Sequence, residues 1–358
     1  MATLAQAIRM ALHYGEENLN LKHVFGQDVG PPLGGVFTAT QGLKTAWNSP
    51  LDERGIIGAA MGLAFAEQRC VAEIQFCDYI FNTIDLLKLA GNTCWSTNGK
   101  WNLPMTIMTP VGSGIRGSIY HSHSFDAMMT HISGWKIVIP SNAKDAYGLM
   151  IACLTEMNPT MYLAPKALLY AKSSDAIPGE PPLTAAGSRQ LKEMIDKPVD
   201  SEAAKHWQPQ WPEGLTNYHV EIGTGNRICE GTDVTVVSYG RTLPLCVKAA
   251  QQLLEEGIHA EVIDLRSLWP YDWGMISTSI LKTQAVIYVN EDTEVTNFGE
   301  HLIRRTVDEH FYHLAAPPQL LAGAFIPGIG LAHNLEMASV PQLPDIVHAI
   351  RELVGAKV

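Results

Sequence analysis

Ser49 to Ala60 reads S-P-L-D-E-R-G-I-I-G-A-A, and the chain reads as built to present one carboxylate from this stretch. Pro50 favours an extended approach at Ser49, while Gly55 and Gly58 would let the apolar segment that follows pack closely. Leu51, Ile56, Ile57 and Met61 would surround Asp52 and Glu53 with apolar atoms. A carboxyl group so placed is costly to ionise and becomes ready to exchange a proton near neutral pH. On spacing alone the stretch reads first as an ordinary helix start, two acids complementing the helix dipole.

Outward from it, elements alternate. Thr3 caps a helix whose apolar positions are Leu4, Ala7, Ile8, Ala11 and Leu12. His23 to Phe25 is a short strand, followed by the turn-rich Pro31 to Gly35. A long helix runs to Ala66, then a buried strand over Cys70 to Phe76 and a helix over Phe81 to Leu89. Met105 to Pro110, Lys136 to Pro140 and Thr160 to Leu163 read as strands, with a helix over Asp145 to Met157. Such alternation predicts an α/β fold whose parallel sheet is covered on both faces.

From Ser173 to about Gly225 the character changes: proline is frequent, periodicity weak except for a short helix around Gln190 to Ile195, and Trp207 and Trp211 appear. Exposed tryptophan suits a linker poorly, so part of this segment is expected to be pinned against protein. A second unit begins near Asp233, with D-V-T-V-V-S-Y-G as a strand, Leu243 to Gly257 as an amphipathic helix and Ala260 to Leu265 as the next strand. Ala285 to Glu291 and a helix from Phe298 to Ala315 complete a βαβαβ order of one small doubly wound domain. It carries no G-x-G-x-x-G, so a dinucleotide site is unsupported.

The 358 residues suit two domains, and a hydrophobic share of 46% against 17% charged fits a globular chain with much buried or shared surface. A formal net charge of −11 without any basic stripe argues against nucleic acid as a partner. The six cysteines are scattered, with no C-x-x-C pair and no zinc spacing, as expected of reduced core residues in the cytoplasm. No apolar run is long enough to cross a membrane, and the first residues do not read as a secretory signal.

The opening stretch resembles the T-P-L-x-E-x-x-I-x-G-x-A segment of the β subunits of 2-oxo acid dehydrogenase E1 components, thiamine-diphosphate decarboxylases related to transketolase. E-I-Q-F-C-D-Y-I-F at Glu73 to Phe81, Y-H-S-H-S at Tyr120 to Ser124, K-I-V-I-P-S at Lys136 to Ser141 and A-E-V-I-D-L-R-S-L-W-P at Ala260 to Pro270 follow in the family's order. The resemblance implies an α/β chain of two doubly wound domains. A transketolase-like pyrimidine-binding domain would span 1–172 and a transketolase C-terminal-like domain 232–358, joined by a Pro- and Trp-containing linker or insertion over 173–231.

By the same resemblance, Glu53 hydrogen-bonds the aminopyrimidine ring of thiamine diphosphate, with Leu51, Gln75 and Tyr79 lining it. His121 matches a histidine that assists reductive acylation of a lipoyl group. Relatives bind a structural potassium ion at positions matching Leu103, Met105, Thr106, Cys153, Glu156 and Asn158. The G-D-G motif that holds Mg²⁺ and diphosphate is missing, so an α subunit would supply those contacts in an α2β2 heterotetramer. The expected reaction is decarboxylation of a 2-oxo acid and acyl transfer to a lipoyl-bearing E2 acyltransferase.

E-I-Q-F-x-D-Y-I-F is closer to the branched-chain enzymes; pyruvate or acetoin dehydrogenase is the alternative. A non-catalytic assembly subunit of the same fold is opposed by the presence of Glu53, and a self-contained transketolase-like enzyme by the missing G-D-G. Two positions depart from the family. His123 stands where it has Gln. Gln27 stands where a glutamate joins an acidic, water-filled passage that also involves a carboxylate matching Asp85. An amide cannot titrate there.

Overall fold

The computed structural model describes residues 1–172 and 175–357. Its chain divides into two compact units, Met1–Pro110 with Ile132–Ala164 and Leu168–Glu221, and Val111–His131 with Pro165–Ala167 and Ile222–Val358.

The first unit holds β1 (His23–Gly26), β2 (Ala46–Asn48), β3 (Cys70–Glu73), β4 (Met105–Val111), β5 (Lys136–Val138) and β6 (Thr160–Pro165). They lie in the order β5-β6-β4-β3-β1-β2, and β1 pairs parallel with both β2 and β3. Every residue of β3, β4 and β6 is buried, as strands covered on both faces require. One cover is the pair of helices Leu4–Asn18 and Ala143–Thr155. They approach so closely that a Cβ at Gly15 would come within 2.6 Å of Leu154 Cδ1. A capping box opens the first of them, Thr3 accepting from Gln6 N at 3.2 Å while Gln6 Oε1 accepts from Thr3 N at 3.0 Å.

The order of β1 and β3 matters for function. The connection leaving β1 runs to β2 on one side, and that leaving β3 runs to β4 on the other. In an open parallel sheet this reversal leaves a crevice beyond the carboxyl ends of the two strands, where ligands bind.

The segment after Leu168 wraps this unit. Its helices are Ala185–Ile195 and Ser201–Lys205, the first longer than expected and the second unforeseen. Trp211 stacks on His13 with ring centroids 4.1 Å apart, and Trp207 packs beside Gly42, so both tryptophans are pinned. Ser173 and Ser174, where the insertion was expected to start, lie outside the described residues.

The second unit is built on β7 (Asn226–Cys229), β8 (Val234–Ser238), β9 (Ala260–Asp264), β10 (Ser267–Trp269), β11 (Val286–Thr293) and β12 (Gln319–Gly323). Its sheet runs β12-β11-β8-β9-β7, parallel except for β7. Val236, Val262, Ile287 and Leu253 meet Ile346 and Ile350 of the terminal helix Leu343–Gly355 in one core.

Candidate functional site

Glu53 opens the helix Glu53–Phe65, which buries Ile56, Ile57, Ala60, Met61 and Ala64 along one face. The expected apolar surround is therefore only half made. Leu51 is 70% exposed, Glu53 is half-buried, and the opposite face carries Gly58 and Gly62, beside which a Cβ would meet nothing within 4 Å. The close packing expected at Gly58 is not made by this chain's own atoms. Glu53 Oε2 lies 3.5 Å from Asn82 Nδ2, a long contact. Next to Glu53, Arg54 grips Asp85 with two hydrogen bonds of 2.6 and 3.0 Å. Those bonds hold the Asp85 carboxyl below the usual carboxylate range.

Gln75 and Tyr79 follow β3. The turn carrying Tyr79, Cys77–Thr83, is a 3-10 helix that runs into the helix Ile84–Ser96, where a single helix from Phe81 was expected. Tyr79 meets Phe76 edge to face at 5.8 Å, and burial followed by the nearby Asp78 and Glu53 charges raises its phenol. Gln75 Nε2 donates to Asp28 Oδ2 at 3.3 Å. So Glu53, Tyr79 and Gln75 are linked through neighbouring residues at one end of the sheet.

The crevice at the β1/β3 reversal is a cavity of about 430 Å³ lined by Gln27, Asp28, Glu73, Gln75 and Phe76 among others. Sequence reasoning missed its central group. Glu73 is fully buried, Oε1 accepts from Val36 N at 2.9 Å, and Oε2 has no hydrogen-bond partner. Burial pushes its carboxyl up to about 8; the Val36 amide opposes this and the Asp28 charge adds to it. The amide it holds opens a run, Val36, Phe37 and Thr38, at positive φ, a conformation β-branched residues avoid. The one signal available was an acid ending an otherwise apolar strand.

A thiamine ring suits this arrangement on its chemistry. A half-exposed carboxylate, a carboxamide and a phenol offer it donors and acceptors, and the uncovered Leu51 offers it an apolar wall. Among the described residues no group of three or more His, Cys, Asp and Glu side chains could hold a metal ion.

The residues proposed for potassium do come together. Leu103 N, ahead of β4, donates to Met157 O at 2.9 Å in the turn that carries Glu156 and Asn158 after Cys153. But Arg69 Nη1 donates to Glu156 O at 2.7 Å, and Lys136 Nζ binds Glu156 Oε1 at 2.5 Å. Thr106 shares its hydroxyl hydrogen bond with Thr160. The buried Asn158 Oδ1 lacks a hydrogen-bond partner. With a guanidinium and an ammonium already on this turn, the donor set does not suit a further cation.

In the second unit, His121 closes the short turn Ser118–Tyr120. Its Nδ1 is 3.1 Å from Gly117 O. A carbonyl only accepts, so Nδ1 carries the proton and Nε2 of the neutral ring is the basic nitrogen. Glycine is required at 117, where a Cβ would come within 2.6 Å of His121 Cβ. His123 stacks on Phe125 at 5.0 Å. Beneath this loop Asp126 and Asp292 lie buried together. Asp292 accepts backbone amides while Asp126, raised well above the ordinary range by burial and by Asp292, holds the proton.

Comparison with known proteins agrees along the whole chain. The transketolase pyrimidine-binding domain matches residues 1–172 and the transketolase C-terminal domain residues 223–346. Identity to the 2-oxoisovalerate dehydrogenase subunit beta of Pseudomonas aeruginosa is 36%, covering 95% of this chain and 91% of that one. The corresponding Bacillus subtilis subunit is 30% identical, over 97% of both chains. The pyruvate dehydrogenase E1 component subunit beta of Bacillus subtilis is 31% identical, over 98% of both. Among solved structures, a split gene transketolase described as an inactive beta4 tetramer superposes with a TM-score of 0.69 over the full length of both chains at 18% identity, a likeness of fold. The chain belongs to the transketolase-related family of 2-oxo acid dehydrogenase E1 β subunits.

Proposed function

We propose that this chain is the β subunit of a thiamine-diphosphate-dependent E1, acting on a branched-chain 2-oxo acid together with an α subunit and passing the acyl group to a lipoyl-bearing E2. The observation that carries this reading is the half-built site around Glu53. Its carboxylate, carboxamide and phenol stand at one sheet end with Leu51 uncovered, in a chain alike over its length to 2-oxoisovalerate dehydrogenase β subunits. Pyruvate is the second substrate to test, because pyruvate dehydrogenase β subunits match over the same length.

Thiamine diphosphate, when bound, supplies an acidic carbon that adds to the oxo group and takes up the electron pair left as CO2 departs. Glu53 would hold and return a proton at its carboxylate for the aminopyrimidine. Leu51 and Tyr79 would hold the ring and keep water from it, and Gln75 would orient it through its carboxamide. His121, with Nε2 basic, handles a proton during acyl transfer. Mg²⁺ and the diphosphate fall to the α subunit in an α2β2 assembly, since the chain has no G-D-G motif. No potassium ion is needed here, because Arg69 and Lys136 already serve the turn around Glu156. The domain limits 1–172, 173–231 and 232–358 are part of this proposal and rest on the family likeness, whereas the compact units of the structure put Val111–His131 with the second unit and Leu168–Glu221 with the first. A cytoplasmic location is supported by the six scattered cysteines, which form no C-x-x-C pair.

Calorimetry of thiamine diphosphate and Mg²⁺ against the chain alone, then against its complex with the α subunit, tests the proposal. Binding should be negligible in the first case and tight in the second. Tight Mg²⁺-dependent binding to the chain alone would refute the division of the site, and turnover of pyruvate in preference to 2-oxoisovalerate would move the substrate reading.

A further inference from the structure

The loop that carries His121 is held in an unusual way. Between residues 112 and 125 five positions have positive φ: Gly112 at 84°, Gly114 at 104°, Arg116 at 58°, Ser118 at 61° and Phe125 at 60°. Three of these are not glycine, and such conformations persist only where the surroundings over-determine them. What over-determines them is a set of buried carboxylates from elsewhere in the second unit. Glu336, in the helix His333–Ala338, accepts Gly114 N at 2.7 Å and Arg116 N at 3.0 Å on the single oxygen Oε1. Glu291, in β11, accepts both Ser113 N at 3.0 Å and Ser113 Oγ at 2.9 Å on Oε2. Its neighbour Asp292 accepts Phe125 N at 3.2 Å on Oδ1 and Ala127 N at 3.0 Å on Oδ2.

These acids are buried, Glu336 at 1% and Asp292 at 4% exposure, and acids are seldom placed so unless paired. Here their partners are chiefly the amides of one loop, with Arg241 3.9 Å from Glu291 as the nearby cation. The contacts bracket His121 on both sides in sequence, from 113 to 116 and from 125 to 127. Gly112 has no room for a side chain, since a Cβ would lie 2.0 Å from Glu291 Oε1.

We propose that Glu291, Asp292 and Glu336 are positioning residues, which clamp the strained 112–127 loop by its amides and thereby fix the His121 imidazole for the acyl-transfer step. The proposal rests on the reading of His121 given above. It assigns the three acids no contact with substrate.

The geometry makes an asymmetric forecast. Glu336 uses one oxygen for both amides, so Glu336→Gln keeps an acceptor for each and should preserve the loop, whereas Glu336→Ala removes both. Asp292 uses its two oxygens separately. Asp292→Asn must therefore turn an NH2 group toward either the Phe125 or the Ala127 amide and should loosen the loop despite its conservative shape.

The test follows amide exchange over 112–127 by mass spectrometry in the full chain. Acyl transfer to a lipoyl domain and decarboxylation with an artificial acceptor are measured in the complex with the α subunit. Glu336→Ala and Asp292→Asn should speed exchange roughly tenfold and lower acyl transfer about tenfold or more, with decarboxylation spared and Glu336→Gln near wild type. Unchanged exchange in both loosening variants overturns the clamp, whatever the activities. Faster exchange with unaltered transfer overturns the positioning role if His121→Ala does impair transfer. If His121→Ala leaves transfer intact, the reading of His121 itself fails and the proposal falls with it.

Discussion

The two places where this chain gathers functional groups are built on opposite plans. At the carboxyl end of the first sheet, Glu53 is half-buried, its hydrogen bond from Asn82 is 3.5 Å long, and Leu51 beside it is 70% exposed. In the second unit, Glu291, Asp292 and Glu336 spend their carboxylates on the amides of the 112–127 loop. The first arrangement offers its groups outward, the second turns them inward to hold a conformation. A side chain that contributes little to the fold can be changed with the chemistry alone affected, whereas an inward acid that loses its acceptor oxygens releases the backbone it holds.

The largest expected effect tests the outward site. Glu53→Gln should slow proton exchange at the reactive carbon of thiamine diphosphate in the complex by ~10²–10⁴, the scale of lost acid–base assistance. Stability should change by less than about 0.5 kcal/mol, as for a surface substitution, because the Asn82 contact is long and glutamine keeps an acceptor for it. An unchanged exchange rate in the NMR assay would remove Glu53 from its role. His121→Ala should split two assays, cutting transfer to a lipoyl domain by about 10² while decarboxylation with an artificial acceptor persists. Equal losses would assign His121 to another step.

The contrast sharpens at Glu73, an inward acid at the outward end of the sheet. Burial lifts its folded-state carboxyl to about 8 from the ordinary 4.5, so the folded chain keeps a proton that the unfolded chain releases. Stability from this group is full below the unfolded value and declines as pH rises through about 8, by at most about 1.4 kcal/mol per pH unit. Glu73→Gln keeps an acceptor for Val36 N and cannot titrate. The difference in unfolding free energy between wild type and variant should therefore shift in the variant's favour from pH 5.5 to pH 8.5. Asp126, Asp292 and Glu291 are raised in the same direction, and taking the difference cancels them. A difference flat across that range would contradict the buried, protonated reading.

How far the sequence could be read follows the same contrast. The buried strands were legible because runs such as C-V-A and M-T-I-M carry their own signal, and the family motifs placed Glu53, Gln75, Tyr79 and His121. The inward acids were not legible. Nothing in C-V-A-E marks Glu73 as a neutral group, and the positive-φ run Val36 to Thr38 opens on an amide that a residue distant in sequence holds. Leu51 and Gly58 were expected to pack within the chain because apolar periodicity says which residues want cover, not which molecule provides it. At the acidic passage implied by resemblance, Gln27 cannot titrate, and Arg54 keeps Asp85 ionised.

The smallest expected effect is a null, and it concerns the turn after the helix Ala143–Thr155. The family likeness calls for potassium at Leu103, Met105, Thr106, Cys153, Glu156 and Asn158, yet the Glu156 carbonyl is taken by Arg69 and its carboxylate by Lys136. An ion within coordinating distance of Glu156 O would sit against the guanidinium, in a partly buried place where like charges repel more strongly than in water. Burial already depresses Arg69, so the protein bears a desolvation cost to keep this cation inside. The melting temperature of the wild-type chain should accordingly agree within about 1 °C in potassium, sodium and choline chloride at equal ionic strength. Arg69→Ala removes the guanidinium and leaves Glu156 O and the unpartnered Asn158 Oδ1 to an ion, so stabilisation that grows with potassium over sodium is expected in the variant alone. Potassium-selective stabilisation of the wild type would show that arginine and ion coexist, and would restore the site that the likeness implies.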